Sequence, residues 1–260
     1  KKVTLPSVTY KEVEDDVNNH IKLNVKTAKC PYYLGKMATN IKVKESPDFI
    51  KKRLHAVGMR SINNVVDISN YVMLEFGQPL HFFDKDLLGD NVIVRDATEH
   101  EELTTLDNTK RVLNNSDIVI ANNAGPVCIA GVMGGLNTEV TTNTKNIFIE
   151  SAIFDSVSIR NTAQKLNLKS EASIRYGKGL SYEYTSLAIQ RACHLLEKYA
   201  DATIISGTIV HDKIDKTPKI VKFKPDEINN LLGINISTKD MEYELNRLDF
   251  PYTLDKDEFT

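Results

Sequence analysis

The stretch Arg60–Asp84, RSINNVVDISNYVMLEFGQPLHFFD, sets polar side chains at close spacing among apolar ones. A polar group that is buried without a partner costs roughly 1–3 kcal/mol. Each polar group here must therefore be paired inside the fold or turned toward a ligand, so the stretch decides how the chain packs and where a site can form. The polar residues concerned are Asn63, Asn64, Asp67, Ser69, Asn70, Gln78 and His81.

Helix signals place most of this stretch on one element. Asn63 is a residue type that caps helix N-termini, and the apolar spacing after it predicts a helix to about Glu75. Gly77 followed by Pro79 is typical of a helix end. We therefore expect His81 in a loop just past the helix.

Beyond Asn91 the hydrophobic period changes from that of a helix to that of a strand. Short apolar runs separated by Asn, Asp or Gly predict a series of hairpins. The segment NIFIESA, residues 146–152, predicts a buried strand. Helices are expected near Ser156–Leu166 and Glu183–Tyr199, and a last strand near Ala202–Val210.

A charged segment that contains a proline, DKIDKTPK, is typical of a linker. It predicts a first domain over residues 1–211, a linker over 212–218 and a second region over 219–260. The second region holds a short strand and two small helical patterns, so we expect it to be the truncated start of an α-rich domain.

The amino-acid composition argues against a membrane-spanning protein and against one that coats nucleic acid. Hydrophobic residues make up 41% of the 260 residues, which is enough for a core, and no apolar run approaches the roughly 20 residues that span a bilayer. The net charge of −2 argues against coating nucleic acid by bulk electrostatics. The start, KKVTLPSVTY, lacks the apolar segment of a signal peptide, so we expect a cytosolic protein, and an excised one because it opens without Met.

Cysteine and histidine spacing gives no metal pattern. Cys30, Cys128 and Cys193 are isolated, and no two histidines stand at ligand spacing. We therefore expect free thiols and no metal site.

Glu150 is the sharpest anomaly because it stands inside the apolar run 146–152. A carboxylate there must be paired, protonated or facing a cavity. The alternative is a salt-bridged glutamate at an exposed strand end. His81 could be a general base or an orienting donor, or simply a structural or exposed histidine. Ser69 and Asn70 could contact a ligand or only bond backbone carbonyls.

Two further features have both a structural and a functional interpretation. The run AGVMGG, residues 130–135, allows close backbone approach to a ligand or only tight turns, and it is not a dinucleotide or Walker motif. Basic runs at 51–53 and 160–178 are either solvated faces or positions for a phosphate backbone.

Five motifs in order resemble the beta subunit of bacterial phenylalanyl-tRNA synthetase: NNVVDISNYVMLEFGQPLHFFD, TLDNTKRVL, IAGVMGG, NIFIESAIFDSVSIRNTAQKLNL and SEAS. The resemblance covers residues 20–210, which would be the editing domain, and 217–260 would open the helical domain that follows. It implies an α+β fold, with a hairpin-rich sheet or closed barrel flanked by helices. It also implies hydrolysis of tyrosine wrongly attached to the phenylalanine tRNA, with the phenylalanine ester spared.

The resemblance further implies an editing pocket. Glu150 would recognise the tyrosine hydroxyl, and His81, with Asn70, would position or activate the attacking water. The sequence RYGKG at 175–179 departs from the family's Arg-Phe-Glu-Arg-Gly and puts Tyr176 where phenylalanine is usual. The other implied pocket residues are Ser69, Gly131, Gly134, Ser170 and Ala172.

The parent enzyme implied by the resemblance is a cytoplasmic tetramer of two alpha and two beta chains. Phenylalanine tRNA and the alpha subunit are the expected partners, with no membrane, and ATP and magnesium would act in the alpha subunit, with no cofactor in this region. The alternative function is a non-catalytic RNA-binding or scaffold module with a decayed site. That module would bind RNA with a steep salt dependence and would hydrolyse no ester.

Overall fold

The structure is a computed structural model that describes residues 4–260. It divides into two compact units, the first ending at Ile214 and the second running over Asp215–Thr260. The assignment of 1–211, 212–218 and 219–260 to a domain, a linker and a second domain stays a prediction.

The first unit combines helices with short and long strands. Its helices are α1 (Asp48–Ala56), α2 (Asn64–Phe76), α3 (Lys85–Leu88), α4 (Ser156–Lys165), α5 (Glu171–Tyr176) and α6 (Tyr182–Tyr199). Its strands are β1 (Glu12–Asp16), β2 (Lys22–Val25), β3 (Tyr32–Thr39), β4 (Leu80–Asp84), β5 (Asn91–Asp96), β6 (Glu102–Thr104), β7 (Lys110–Val112), β8 (Ile118–Ala121), β9 (Pro126–Ile129), β10 (Met133–Gly134), β11 (Ile147–Ile153), β12 (Thr203–Ser206) and β13 (Ile209–Asp212).

A six-stranded sheet forms the centre of this unit. Its order is β1-β12-β3-β11-β4, with β13 also paired to β3. Strand β11 is antiparallel to both β3 and β4, and all seven of its residues are buried. The predicted buried strand at NIFIESA is therefore confirmed, and β4 is an edge strand of this sheet.

The two faces of the six-stranded sheet pack against different layers. Side chains such as Phe83 and Phe148 share a core cluster with the five-stranded sheet, which has the order β10-β9-β8-β5-β2. Their neighbours Phe82 and Ile149 point the other way, into a cluster with α1, α2 and α6. This alternation is the period of two that a pleated strand requires.

The α+β class is confirmed, and the predicted hairpins appear as β6-β7 and β8-β9. Both larger sheets are open in the part of the chain that the structure describes, so the barrel alternative is replaced by two open sheets.

The second unit is small. Its helices are α7 (Pro225–Leu232) and α8 (Thr238–Arg247), and its strands β14 (Leu254–Asp255) and β15 (Glu258–Phe259) form a hairpin. Phe223 stacks on Phe259 with ring centroids 5.0 Å apart.

Helix α2 has the predicted ends. The Asn63 side chain accepts hydrogen bonds from the amides of Val65 and Val66 at 3.0 and 2.9 Å, and Gly77 closes the helix in the left-handed region with φ 73°. The prediction of a loop for His81 is wrong, because after Pro79 the chain pairs at once with the open edge of β11. His81 lies in β4, directly opposite Glu150.

Most polar groups of the stretch Arg60–Asp84 are paired inside the fold. Asn64, fully buried, accepts from the Lys44 amide at 2.9 Å and donates to the Lys42 and Tyr199 carbonyls at 3.0 and 2.9 Å. Asp67, also fully buried, accepts from the Ile62 amide at 2.8 Å.

Of the seven polar residues named above for this stretch, Gln78 is paired as well and two are not. Gln78 donates to the Pro79 and Ala152 carbonyls at 3.1 and 3.0 Å. Within residues 4–260 the side chains of Asn70 and His81 make no hydrogen bond. These two groups are the ones left over for a ligand.

Asn64→Ala is expected to lower the free energy of unfolding of the first unit by about 2–4 kcal/mol, because one backbone amide and two carbonyls lose their partners in the core. Asn70→Ala is the matched control, since it removes the same amide from the same helix without breaking a hydrogen bond, and we expect a loss under about 1 kcal/mol. Urea denaturation followed by circular dichroism measures both. Equal losses would contradict the division between paired and unpaired amides.

Candidate functional site

An outer cleft of about 420 Å³ runs along the edge strand β4. One wall is the side of α2 that carries Ser69 and Asn70. The opposite wall is the loop before and within β10 together with the start of α5, where Ser170 and Ala172 lie. The cleft therefore forms where the edge of the six-stranded sheet is left uncovered between two helices.

A smaller inner cavity of about 60 Å³ adjoins the outer cleft. His81, Gly134 and Ala172 line both spaces. Glu150 and Gly131 line the inner cavity only. All eight residues expected from the sequence therefore line one or both spaces, although their roles stay a prediction.

Glu150 lies at the inner cavity and is 3% exposed. The alternative of a salt-bridged glutamate at an exposed strand end is therefore wrong. The Tyr33 hydroxyl donates a hydrogen bond to Glu150 Oε2 at 3.0 Å, and no other described residue bonds this carboxyl. Burial raises the pKa of Glu150 to about 8, although the bond from Tyr33 acts in the opposite direction. At neutral pH the carboxyl is therefore largely protonated.

His81 stands at the junction of the two spaces. Its ring packs edge-on against Phe83, with centroids 4.3 Å apart, and both ring nitrogens lack a hydrogen-bond partner among residues 4–260. Burial lowers the pKa of the imidazole to about 4. The ring is therefore neutral near pH 7, and one nitrogen can accept a hydrogen bond while the other donates.

The glycine motif is shaped by close contacts. A Cβ atom at Gly134 would lie 2.4 Å from His81 Cε1, so a side chain at this position would displace the imidazole. Gly131 has φ +67°, and a Cβ there would lie 3.0 Å from the Tyr176 ring. Of the two interpretations of the motif, Gly134 fits close approach to a site and Gly131 fits a tight turn.

The predicted hydroxyls are already engaged. Ser69 donates to the Val66 carbonyl in its own helix at 2.8 Å. Ser170 caps α5 by accepting from the Ser173 amide at 3.0 Å, and it donates to the Val132 carbonyl at 2.7 Å. Ser170 thereby ties α5 to the glycine loop, which makes it a residue that builds the wall of the cleft.

The sequence does not predict a role for Cys128 or Tyr176, which line the inner cavity, or for Tyr33, which bonds Glu150. Tyr33 holds Glu150, Cys128 is a buried free thiol, and the Tyr176 hydroxyl donates to the Ala152 carbonyl at 3.2 Å. A tyrosine in the apolar strand PYYLG signals a buried hydroxyl that needs a partner. Nothing in the local sequence shows that its partner stands 117 positions away.

Within 4–260 no group of three or more His, Cys, Asp or Glu side chains is placed to hold a metal ion. No helix there combines the length and apolar character needed to cross a bilayer.

Residues 29–201 match the family described as B3/4 domain. The chain is 43% identical over 260 residues to a phenylalanine–tRNA ligase beta subunit of Staphylococcus saprophyticus, covering 99% of this chain and 32% of that protein. It is 42% identical over 261 residues to the same subunit of Staphylococcus aureus, covering 100% of this chain and 33% of that protein. The chain thus spans about a third of the length of these relatives.

A solved structure shares the fold. It is an N-terminal fragment of the phenylalanyl-tRNA synthetase beta subunit from Pyrococcus horikoshii, with a TM-score of 0.51 at 16% identity, covering 98% of this chain and 70% of that one. The resemblance found in the motifs is thereby confirmed over the whole chain. The chain belongs to the B3/4 domain family, in a form that is similar throughout to phenylalanine–tRNA ligase beta subunits.

Proposed function

We propose that this region hydrolyses tyrosine wrongly esterified to the phenylalanine tRNA. The observation that carries the proposal is the placement of the buried Glu150 carboxyl next to an outer cleft lined by His81 and Asn70, whose side chains make no hydrogen bond within residues 4–260. A tyrosine side chain entering from the outer cleft would bring its hydroxyl to Glu150. The ester would then lie near His81.

Glu150 supplies a physical basis for selectivity. An apolar pocket rejects an added hydroxyl by only about 10²-fold, whereas a site built to bond a hydroxyl rejects the analogue without it by about 10⁴–10⁵. The protonated carboxyl can donate to the tyrosine oxygen while it accepts from Tyr33. Phenylalanine would leave that donor unpaired in a buried cavity, so its ester is spared.

The neutral His81 suits the placement of water. With a pKa of about 4, it is a weak base near pH 7, so its main contribution is to accept a hydrogen bond from water and orient it. The Asn70 amide, which no described side chain or backbone group bonds, can hold the same water or the ester carbonyl. Water attacks the carbonyl carbon, the bond to the ribose oxygen breaks, and that oxygen takes a proton to release tyrosine and the tRNA.

For the whole protein we propose the arrangement that the resemblance implies, which the names of its relatives support as far as a phenylalanine–tRNA ligase beta subunit. The chain would be part of a beta subunit that works with an alpha subunit, two of each, in the cytoplasm. ATP and magnesium would be used in the alpha subunit to attach phenylalanine, and no cofactor would act in this region.

Glu150→Ala and His81→Ala are each expected to slow tyrosyl-tRNA hydrolysis by about 10²-fold, because one removes the hydroxyl partner and the other the group that orients water. Deacylation of tyrosyl- and phenylalanyl-esters of the phenylalanine tRNA by the full-length subunit pair measures this. Glu99→Ala and His100→Ala are matched controls, since both residues are exposed in one turn. Equal hydrolysis in all four variants would contradict the proposal, and salt-sensitive RNA binding without hydrolysis would favour a scaffold.

The raised pKa of Glu150 is expected to make the free energy of unfolding depend on pH. Between pH 4.5 and about 8 the unfolded chain has lost this proton and the folded chain keeps it, so Glu150 makes folding less favourable as pH rises. Glu150→Gln removes this contribution. From pH 6 to pH 8 its free energy of unfolding should rise by about 2 kcal/mol relative to the parent.

Urea denaturation of both proteins at several pH values tests this expectation. The titration of His81 is present in both proteins and cancels in the difference. A difference that stays constant from pH 6 to pH 8 would show that Glu150 titrates at its ordinary pKa.

Tyr33→Phe is expected to lower the selectivity for tyrosyl over phenylalanyl esters more than it lowers the free energy of unfolding. The variant removes the hydrogen-bond donor of Glu150 and leaves the aromatic ring in the core, so the carboxyl loses its fixed position. We expect the ratio of tyrosyl to phenylalanyl hydrolysis to fall about tenfold, corresponding to about 1.4 kcal/mol. Tyr10→Phe is a control on another part of the unit, and a ratio equal to that of the parent in Tyr33→Phe would contradict the role of this bond.

A further inference from the structure

A second depression, separate from the two spaces at Glu150, lies between α4 and α5. Its volume is about 430 Å³. Arg160, Lys169 and Lys178 line it, and no carboxylate of the described residues 4–260 does. Ala163 and Ile174 add apolar surface to the same depression. We call this depression the basic groove.

The cations of the basic groove are available to a ligand. Lys169 and Lys178 are exposed and make no ion pair within residues 4–260. Arg160 donates to the Gly177 carbonyl at 3.2 Å, which directs its guanidinium toward α5. Two other cations of the same run are not available to a ligand, because Lys165 forms an ion pair with Asp117 and Arg175 forms one with Glu171.

In the other basic run, at 51–53, the exposed Lys52 is the one side chain without a hydrogen-bond or ion-pair partner among residues 4–260. Lys51 pairs with Glu45 at 2.6 Å and with Asp48 at 2.9 Å. Arg53 donates a hydrogen bond to the Tyr71 hydroxyl. Of the two runs singled out in the sequence, residues 160–178 therefore keep more uncompensated positive charge.

The basic groove and the outer cleft lie on either side of one short helix. Ser170 and Ala172, at the start of α5, line the outer cleft. Lys169, Ser173 and Ile174, on the same segment, line the basic groove. A helix is about 10–12 Å across with its side chains, so a chain of a few nucleotides that enters the cleft can cross α5 and reach the groove.

We propose that the basic groove binds the phosphodiester backbone of the single-stranded 3′ end of an RNA whose terminal ester enters the outer cleft. This inference rests on the proposed function for the identity of the ester. Lysine and arginine contacts to phosphate fix position without reading sequence. Because the net charge of the chain is −2, the attraction of RNA phosphates is confined to this local patch. The basic groove therefore determines where the RNA strand lies.

The test is tRNA binding by the full-length protein that carries this chain, measured by fluorescence anisotropy over a range of salt concentrations. Lys169→Glu with Lys178→Glu is expected to weaken binding at least about tenfold and to flatten the salt dependence, since about 0.7 of a counterion is released per contact on a single strand. Lys11→Glu with Lys145→Glu changes the net charge equally at exposed positions outside the groove. This control should bind within about twofold of the parent.

Further variants keep the test decisive. If the glutamate pair fails to fold, Lys169→Gln with Lys178→Gln must still weaken binding at least about threefold. Lys169→Arg with Lys178→Arg should keep the parent's affinity. Equal weakening by the groove pair and the control pair, absence of tRNA binding by the parent, or equally tight binding of polyglutamate would overturn the proposal.

The proposal that the groove binds RNA and the proposal of ester hydrolysis can be disproved independently of each other. Glu150→Ala should lose tyrosyl-tRNA hydrolysis and keep the tRNA affinity of the parent. If no variant or parent hydrolyses the ester but the groove pair still loses tRNA binding, the groove stands and the hydrolytic function falls. If hydrolysis is present and the groove pair binds like the parent, the groove is overturned alone.

Discussion

Strand β11 is the constraint on which the site depends. Its seven residues are buried and its backbone pairs with β3 on one side and β4 on the other. Because the strand is held on both edges, Glu150 cannot move to water without breaking the sheet. The carboxyl therefore stays in an environment that raises its pKa and faces it toward the inner cavity.

The same requirement for paired polar groups separates structure from site within Arg60–Asp84. Asn64 and Asp67 hold loops onto α2 through hydrogen bonds to backbone amides and carbonyls that would otherwise lack a partner. The side chains of Asn70 and His81, on the same stretch, make no hydrogen bond in the part of the chain that the structure describes, and they line the outer cleft. The two side chains therefore keep their hydrogen-bonding capacity for a ligand.

Much of the fold could be predicted from local signals. Asn63 and Gly77 gave the ends of α2 because caps and left-handed turns are local chemistry. Local signals predict a loop at His81 because its strand exists only by pairing with β11. The partner of His81 in that strand is Glu150, 69 positions further along the chain. The burial of Glu150 was likewise undecided, since periodicity alone does not tell a strand's interior from its exposed end.

The sequence by itself determined the α+β class, the ends of α2 and the family resemblance, and through that resemblance it predicts eight residues for the site. Only the tertiary structure decided that Tyr33 holds Glu150, that Ser69 and Ser170 are engaged in the fold, and that the basic groove lies across α5 from the cleft. The physical reason is that capping and periodicity act over a few residues. Burial, pKa and pairing are instead set by side chains that are distant in sequence and meet only when the sheets and helices pack.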